Sequence, residues 1–218
     1  MELTTRKQQI NWIVKVSIFA AISGLLYYLK FPLPFLFPPF LDVQFSNLPA
    51  VLAGFILGPL GGTLVLIIKT LIKLPSTSTA FVGELADLVI GLSVVIPSSL
   101  YYKHHKTKKG GIIALLIAEV CWIGSSVLAN WLFLIDFYAW YFTAQGGINM
   151  LVKACSSVIP DLNADNFMGK YLLYAALPFN TMLATVVLTV TFFVYKYLSN
   201  IFKKDFFNKN DRTEENSK

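Results

Sequence analysis

The stretch Gly111–Ile135, GIIALLIAEVCWIGSSVLANWLFLI, decides the fold class, because its 25 residues carry a single charged side chain, Glu119. A helix needs about 20 mostly apolar residues to cross a bilayer. The rest of the chain is similar, since 56% of its 218 residues are hydrophobic and 14% are charged. Soluble domains carry about a quarter charged residues. The composition excludes a disordered chain, a fibrous repeat and a disulfide scaffold, and it predicts an all-α integral membrane protein of one domain.

Outward from this stretch, the hydropathy pattern predicts six transmembrane helices. The flanking runs Thr79–Tyr102 and Tyr171–Leu198 are each long enough to span. A first helix is predicted over Ile10–Leu29, and not a cleaved signal peptide, because it ends in Tyr27-Tyr28-Leu29-Lys30 instead of small residues. The connection Asp136–Lys170 is predicted to be long and more polar. Residues 1–9 then form a cytoplasmic N-terminus, 10–198 the membrane domain and 199–218 a charged, flexible tail.

The apolar run Ser46–Ile72 is interrupted by Gly58-Pro59-Leu60-Gly61-Gly62. Each half has about a dozen residues, too short for a full span. One kinked helix and two short helices are the alternatives. Two short helices, the second and third of the six, are favoured because five turn-forming residues together rarely continue a helix.

The segment Phe31–Gln44 is apolar, but its first ten residues, FPLPFLFPPF, include four prolines. Proline lacks an N–H and disfavours helix at the preceding residue, so a regular span is excluded. Non-helical backbone beside a membrane must lie against protein or line a cavity. We therefore expect a cap over a binding site, with an interfacial loop anchored by aromatic side chains as the alternative.

The basic residues predict the orientation, because Lys and Arg accumulate in cytoplasmic loops. Twelve lie on one side of the six predicted helices: Arg6, Lys7, Lys103, Lys106, Lys108, Lys109, Lys196, Lys203, Lys204, Lys209, Arg212 and Lys218. Four lie on the other: Lys30, Lys73, Lys153 and Lys170. Both termini are therefore predicted to be cytoplasmic in a cell membrane. The net charge of +6 reflects this topology, and nucleic-acid binding is not expected.

Enzymatic motifs are missing from the sequence. It contains no His-Glu-x-x-His, Gly-x-Ser-x-Gly, Walker A or Gly-x-Gly-x-x-Gly pattern. The two histidines, His104 and His105, lie in a basic loop away from carboxylates, so no metal site is expected. No catalytic residue and no cofactor are predicted, and a membrane enzyme or scaffold without a solute is the less favoured class.

Ionisable side chains at membrane depth each cost about 2.5–3.5 kcal/mol, so they usually face protein or a wet cavity. Glu84 and Asp87 are three residues apart and share a helix face. Lys69 in the preceding short helix is a natural partner for either acid. Two interpretations remain open. The lysine and one acid form a pair that only fixes helix packing, or Glu84 lies at the floor or wall of a solute site.

Two asparagines lie near the outer ends of predicted helices. Asn130 precedes Trp131, and Asn180 follows Leu177-Pro178-Phe179, where the proline loosens the helix. An amide offers donors and acceptors, which suits a flat, uncharged, hydrogen-bonding solute. Hydrogen bonding between helices is the alternative.

Five short motifs follow one another along the chain: FPLPF (31–35), FSNLP (45–49), GPLGG (58–62), GELAD (83–87) and PFN (178–180). With these motifs the chain resembles the S components of energy-coupling factor (ECF) vitamin transporters, most closely the riboflavin-specific branch, from about Ile13 to Leu198. The resemblance implies a six-helix protein that binds a vitamin near the extracellular side beneath a cap loop. It also implies a transmembrane coupling subunit, contacted by Ala20, Ala21 and Gly24 of the first helix, and two cytoplasmic ATPases.

With riboflavin as the transported ligand, the resemblance implies that Asn130 and Asn180 hydrogen-bond the flavin ring. The expected contacts also include Glu84, which binds hydroxyls or orients a neighbour. The other candidate ligand-binding residues are Phe35, Leu41, Phe45, Thr79 and Trp131. Three positions depart from the riboflavin pattern: Gln44 and Asn47 replace acids, and Leu183 replaces a lysine. A pyrimidine or pyridoxine-type vitamin is therefore the alternative ligand.

Overall fold

The computed structural model describes residues 2–77 and 80–215, with side chains described for 6–77 and 80–197. Two short strands, β1 (Lys30–Pro32) and β2 (Asp42–Gln44), follow the first helix. The helices are α1 (Glu2–Tyr28), α2 (Asn47–Leu57), α3 (Pro59–Lys73), α4 (Val82–His104), α5 (Lys108–Ala129), α6 (Ile135–Tyr141), α7 (Ile148–Cys155), α8 (Phe167–Tyr171) and α9 (Leu177–Glu215).

Within this described part, five helical segments are long and apolar enough to cross a membrane: Arg6–Tyr28, Pro59–Ser76, Val82–His104, Lys108–Tyr141 and Phe167–Tyr197. The predicted runs thus appear as helices, with ends shifted by a few residues. The helix α2 is apolar but has only 11 residues. Its partner α3 is longer than predicted, because only Gly58 interrupts the helix and Pro59–Gly62 already belong to the first turn of α3.

The break at Gly58 depends on its backbone, because φ is +88° there, a region that other residues avoid. Pro59 follows at the first position of α3, where its missing N–H needs no partner. The preference for two helices over one kinked helix agrees with this geometry.

Two π-helical turns interrupt otherwise continuous helices. Asn130–Leu134 joins α5 to α6, and Leu172–Ala176 joins α8 to α9. The second turn directly precedes Leu177 and Pro178, whose ring cannot fit against the carbonyl one turn earlier in a regular helix. The predicted polar connection Asp136–Lys170 is therefore shorter than expected, because the helix before it runs on to Tyr141 and the next begins at Phe167.

The proline-rich segment forms a β-hairpin, which the sequence did not predict. Strands β1 and β2 pair antiparallel, with Phe31 opposite Val43. Successive strand side chains point to opposite faces. Val43 accordingly is buried in the main core, whereas its neighbours Asp42 and Gln44 line a cavity beneath the hairpin.

The core has two main parts. The larger one is formed by residues of the helices α1 through α5 and of α9. It includes Val65, Leu66 and Val187, all fully buried. The smaller one lies under α6, α7 and α8 and includes Cys155 and Tyr171. The residues between the last two long helices thus have a core of their own and form a second wall beside the hairpin.

The crossing of α2, α3 and α4 depends on Gly62. A Cβ atom at this position would lie 2.5 Å from Val95 Cγ1 and 2.9 Å from the carbonyl oxygen of Ala50. Both distances are below any normal contact, and the second involves backbone. The three helices can approach this closely only because residue 62 has no side chain.

We expect Gly62→Ala to lower the free energy of unfolding by about 1–3 kcal/mol, as overpacked cores do. Equilibrium unfolding in mixed detergent micelles measures the loss. Gly124→Ala is the matched control, because that helical glycine is exposed and has no atom within 4 Å of the added Cβ. The control should match the unsubstituted protein or exceed it slightly. Equal stability of both variants would contradict the packing argument.

Candidate functional site

A cavity of about 420 Å³ lies beneath the hairpin, between α4, α5 and α9. This volume falls within the usual range for small-molecule sites, about 300–1,000 Å³. Its lining combines aromatic and aliphatic walls with a few amides and two carboxylates. The polar lining residues are Lys30, Asp42, Gln44, Asn47, Asp87, Ser126, Asn130 and Asn180.

One long wall of the cavity is built by every fourth residue of α5 and α6. Trp122, Ser126, Asn130, Leu134 and Tyr138 all line it. In an α-helix, residues four apart drift around the axis by about 40° per step, because a turn has 3.6 residues. The π turn widens the helix from Asn130 onwards and reverses this drift. It therefore keeps five side chains on one cavity wall.

The two predicted asparagines meet in this cavity, and both amides retain hydrogen-bonding capacity. Asn130 Nδ2 donates to the carbonyl of Ser126 at 2.8 Å, and its Oδ1 accepts from the Tyr171 hydroxyl at 3.3 Å. Asn180 Nδ2 donates to the carbonyl of Ala176 at 2.8 Å. An amide nitrogen has two hydrogens and its oxygen has two lone pairs. Each amide can therefore still donate one hydrogen bond and accept another.

A charged pair lies at the opposite side of the cavity floor. Lys69 of α3 is fully buried, and its Nζ is 2.8 Å from Asp87 Oδ2 of α4. The same Nζ donates to Asn47 Oδ1 at 2.6 Å and to Ser46 Oγ at 3.0 Å. Asp87 Oδ1 accepts from Asn47 Nδ2 at 3.2 Å. The predicted alternatives for Lys69 are thus resolved in favour of Asp87.

The hairpin is tied to this pair and to the mouth of the cavity. Gln44 Nε2 donates to Asp87 Oδ1 at 3.4 Å. Lys30 Nζ donates to Asp42 Oδ2 at 2.5 Å, and both residues lie at the cavity rim. Phe37 contacts Phe179 edge to face, at 5.2 Å between ring centroids. These contacts hold the proline-rich segment beside the mouth of the cavity.

Glu84 is placed differently from the prediction that it forms the floor or wall of the site. Its side chain is buried and does not line the cavity, although the adjacent Gly83 does. Glu84 Oε2 accepts from Thr77 Oγ1 at 2.8 Å, and Thr77 Oγ1 accepts from the Phe81 N–H at 3.1 Å. Phe81 has a left-handed backbone with φ of +70°. Glu84 therefore holds the turn before α4, and Asp87 faces the cavity.

The predicted aromatic contacts lie outside the cavity lining. Phe35 is 94% exposed at the hairpin tip, and Trp131 is 56% exposed because neighbouring residues of a helix point in different directions. Phe45 is partly buried against the main core. Leu41, in contrast, lines the cavity, and Thr79 lies outside the described residues.

The small residues of α1 divide between the interior and the surface. Ala20 is 1% exposed in the main core, and a Cβ on Gly24 would lie 3.1 Å from Ile72 Cδ1 of α3. Of the three residues Ala20, Ala21 and Gly24, only Ala21 is exposed. The pattern of small residues four apart therefore serves the close packing of α1 on α3, and Ala21 alone faces outwards.

The residues that sequence reasoning missed are mainly apolar. Trp122 and Phe179 form cavity walls, and Tyr171 supports Asn130. Trp122 lies eight residues and Ser126 four residues before Asn130, and this helical spacing was the signal that could have found these two. Cys155 packs beneath this wall, and burial raises the pKa of its thiol to about 12, so it stays protonated near neutral pH.

Among the side chains described, those of residues 6–77 and 80–197, no three His, Cys, Asp or Glu come together as metal ligands. The polar groups of the cavity are mainly amides and hydroxyls, and its two carboxylates, Asp42 and Asp87, are each paired to a lysine. Such groups can recognise a neutral, hydrogen-bonding solute between apolar walls.

Known proteins resemble this chain over most of its length. Residues 11–195 match the family model for the ECF transporter, substrate-specific component. The chain is 29% identical over 198 residues to the riboflavin transporter RibU of Staphylococcus aureus (strain TCH60), which covers 90% of this chain and 95% of that protein. It is 27% identical over 187 residues to the riboflavin transporter FmnP of Bacillus subtilis (strain 168), covering 84% and 89%. A solved S component of a bacterial ECF transporter superposes with a TM-score of 0.63 at 25% identity, covering 89% of this chain and 99% of that one.

Proposed function

This chain belongs to the family of ECF transporter substrate-specific components, and on that premise we propose that it captures riboflavin from outside the cell for uptake. The family consists of transporter subunits and not of enzymes. The observation that carries the proposal is the meeting of Asn130 and Asn180 in one cavity of suitable size, each with hydrogen-bonding capacity left. The names of two similar proteins, both riboflavin transporters, support the choice of vitamin.

Riboflavin combines a flat ring, which has carbonyl and N–H groups along one edge, with a chain of hydroxyl groups. In the proposed complex, Asn130 and Asn180 hydrogen-bond the polar ring edge. Trp122 and Phe179 lie beside these amides in the lining and pack against the ring. The contact set differs from the one expected from sequence, since Phe35, Phe45 and Trp131 are placed elsewhere.

The hydroxyl chain is proposed to lie against the polar floor. Gln44, Asn47 and Asp87 line the cavity together and offer both donors and acceptors. Glu84 contributes indirectly, by holding the turn that precedes α4. Two of these floor residues, Gln44 and Asn47, are departures from the riboflavin pattern, and the third departure, Leu183, also lines the cavity. A pyrimidine or pyridoxine-type vitamin is therefore the second candidate.

Fluorescence titration of the purified, ligand-stripped protein tests the proposal. We expect flavin emission to be quenched stoichiometrically as riboflavin enters the cavity beside Trp122. Competition with excess pyridoxine or a pyrimidine should leave the quenching unchanged. Absence of quenching in folded protein, or displacement of riboflavin by either competitor, would transfer the proposal to the other vitamin class.

For transport, we propose six membrane helices, of which α2 is the second and too short to span the bilayer alone. The excess of lysine and arginine beyond α4 and near both termini supports cytoplasmic termini. The hairpin and the cavity then open to the outside, as vitamin capture requires. A transmembrane coupling subunit and two cytoplasmic ATPases, as the family implies, would supply the energy.

Ala21 offers the sharpest test of the coupling surface. We expect Ala21→Trp to abolish co-purification with the coupling subunit while riboflavin still binds, because Ala21 is exposed and is not among the residues that line the cavity. Ala20→Trp is the matched comparison one residue away, and it should reduce folded protein, because Ala20 is buried against the core. A complex that survives Ala21→Trp would exclude this face of α1 as the contact.

A further inference from the structure

A second cavity, of about 570 Å³, lies at the other end of the helices. It is bounded by the end of α4 at Tyr102 and the start of α5 at Lys108. The first cavity is lined by Gly83 near the start of α4. With a rise of 1.5 Å per residue, Gly83 and Tyr102 are roughly 28 Å apart along the helix. The two cavities are thus separated by about the thickness of a bilayer's hydrocarbon core, about 30 Å.

The second cavity has a basic rim. Lys106, Lys108 and Lys196 line it. In the described part of the chain, neither Lys106 nor Lys108 is within salt-bridge distance of a carboxylate. These lysines come from two separate segments, the α4–α5 turn and α9, and converge on one opening. Lysines that serve only to solvate a surface have no reason to surround a cavity, so this arrangement indicates a binding site.

The interior of this cavity is aromatic and aliphatic. Phe55 packs against Tyr102 at 5.0 Å and against Tyr195 at 5.9 Å between ring centroids. The hydroxyls of the two tyrosines lie 2.5 Å apart and share a hydrogen bond. One of the two hydroxyl hydrogens is not used in that bond and can be donated to a ligand oxygen. The remaining walls are apolar side chains, namely Ile112, Leu115 and Phe192.

We propose that this basic cavity binds the phosphate headgroup of an anionic phospholipid, with the start of an acyl chain along its apolar wall. Lys106 and Lys108 complement the phosphate charge, and the tyrosine pair supplies a neutral donor. A free phosphate would use only the rim, whereas a phospholipid also covers Ile112, Leu115 and Phe192. The site lies at headgroup level of the leaflet opposite the hairpin, and it is independent of which vitamin the first cavity holds.

Native mass spectrometry of the delipidated full chain tests the proposal. The protein is titrated with phosphatidylglycerol, and separately with phosphatidylcholine of the same acyl chains. We expect one tightly retained phosphatidylglycerol, and about 10- to 30-fold weaker binding in the variant Lys106→Gln/Lys108→Gln, as expected for two lysines near an anionic headgroup. The variant Lys103→Gln/Lys109→Gln removes the same charge from the helix ends on either side of the turn, outside the cavity lining, and should bind normally.

Three results would overturn the proposal. Equal weakening in both double variants would mean diffuse attraction to a basic surface. Equal retention of phosphatidylcholine would mean a non-specific apolar groove. Displacement of the bound lipid by inorganic phosphate, with the same gain in thermal stability, would mean a soluble phosphate ligand. Both pairs of lysines are exposed, so gel filtration of each variant should show unchanged folding.

Discussion

Replacing Lys69 with Met is expected to lower the free energy of unfolding by about 3–5 kcal/mol, the usual effect of removing one partner from a buried ion pair. Lys69 is fully buried, and its Nζ contacts Asp87, Asn47 and Ser46 within 3.0 Å. Methionine matches the length of lysine without the charge, so the loss comes from the uncompensated carboxylate of Asp87. Equilibrium unfolding in mixed detergent micelles measures the effect.

Lys73→Met is the matched control, one turn further along α3. The Lys73 ammonium lies 4.3 Å from the centre of the Tyr28 ring and is partly exposed. Such a contact contributes about 0.5–1 kcal/mol. The double variant Lys69→Met/Asp87→Leu should lose less than the sum of its single variants, because it leaves no buried charge. Additive losses, or equal stability of Lys69→Met and Lys73→Met, would contradict the pairing.

The double variant Asn130→Ala/Asn180→Ala is expected to weaken riboflavin binding about 10³-fold. Each amide lost from a buried contact leaves a ligand group unpaired, which costs about 1–3 kcal/mol, and every 1.4 kcal/mol is tenfold in affinity. The single variants should each lose about ten- to a hundredfold. The titration of flavin fluorescence measures all three.

Two controls separate recognition from folding. Tyr171→Phe removes the hydroxyl that donates to Asn130 Oδ1 but leaves the amide in place, so binding should weaken by less than about tenfold. Asn149→Ala removes an exposed amide of α7 that does not line the cavity and should bind normally. Should the Asn130/Asn180 double variant bind within threefold of the unsubstituted protein, these amides are not the ligand contacts.

The helices were predictable, because uninterrupted apolar runs and the break at Gly58 are local properties of the sequence. The hairpin was not. The prolines of Phe31–Phe40 exclude a helix, but they do not indicate which residues pair across twelve positions. The π turns were also hidden, since Pro178 indicates a disturbed helix and not the kind of turn that results. Such features depend on packing against neighbouring elements.

The candidate site shows the same division. Asn130 and Asn180 were predicted to converge, because both lie near the outer ends of adjoining spans, and they do line one cavity. The sequence could not indicate whether Glu84 or Asp87 faces the cavity, since residues three apart share a helix face. The two acids are distinguished only by the contact of Lys69 with Asp87. Trp131 was chosen for its adjacency to Asn130, although neighbours in a helix point in different directions.

The shortness of α2 has a consequence for biosynthesis. Its 11 residues extend about 16 Å, half the hydrocarbon thickness, so the insertion machinery would not release it into lipid as a separate span. Asn47 at its start and Ser46 just before it accept hydrogen bonds from Lys69, which α3 delivers later in synthesis, and Asp87 arrives with α4. The polar contacts of this region are therefore complete only after α4 has been synthesised, and we expect α2, α3 and α4 to integrate together.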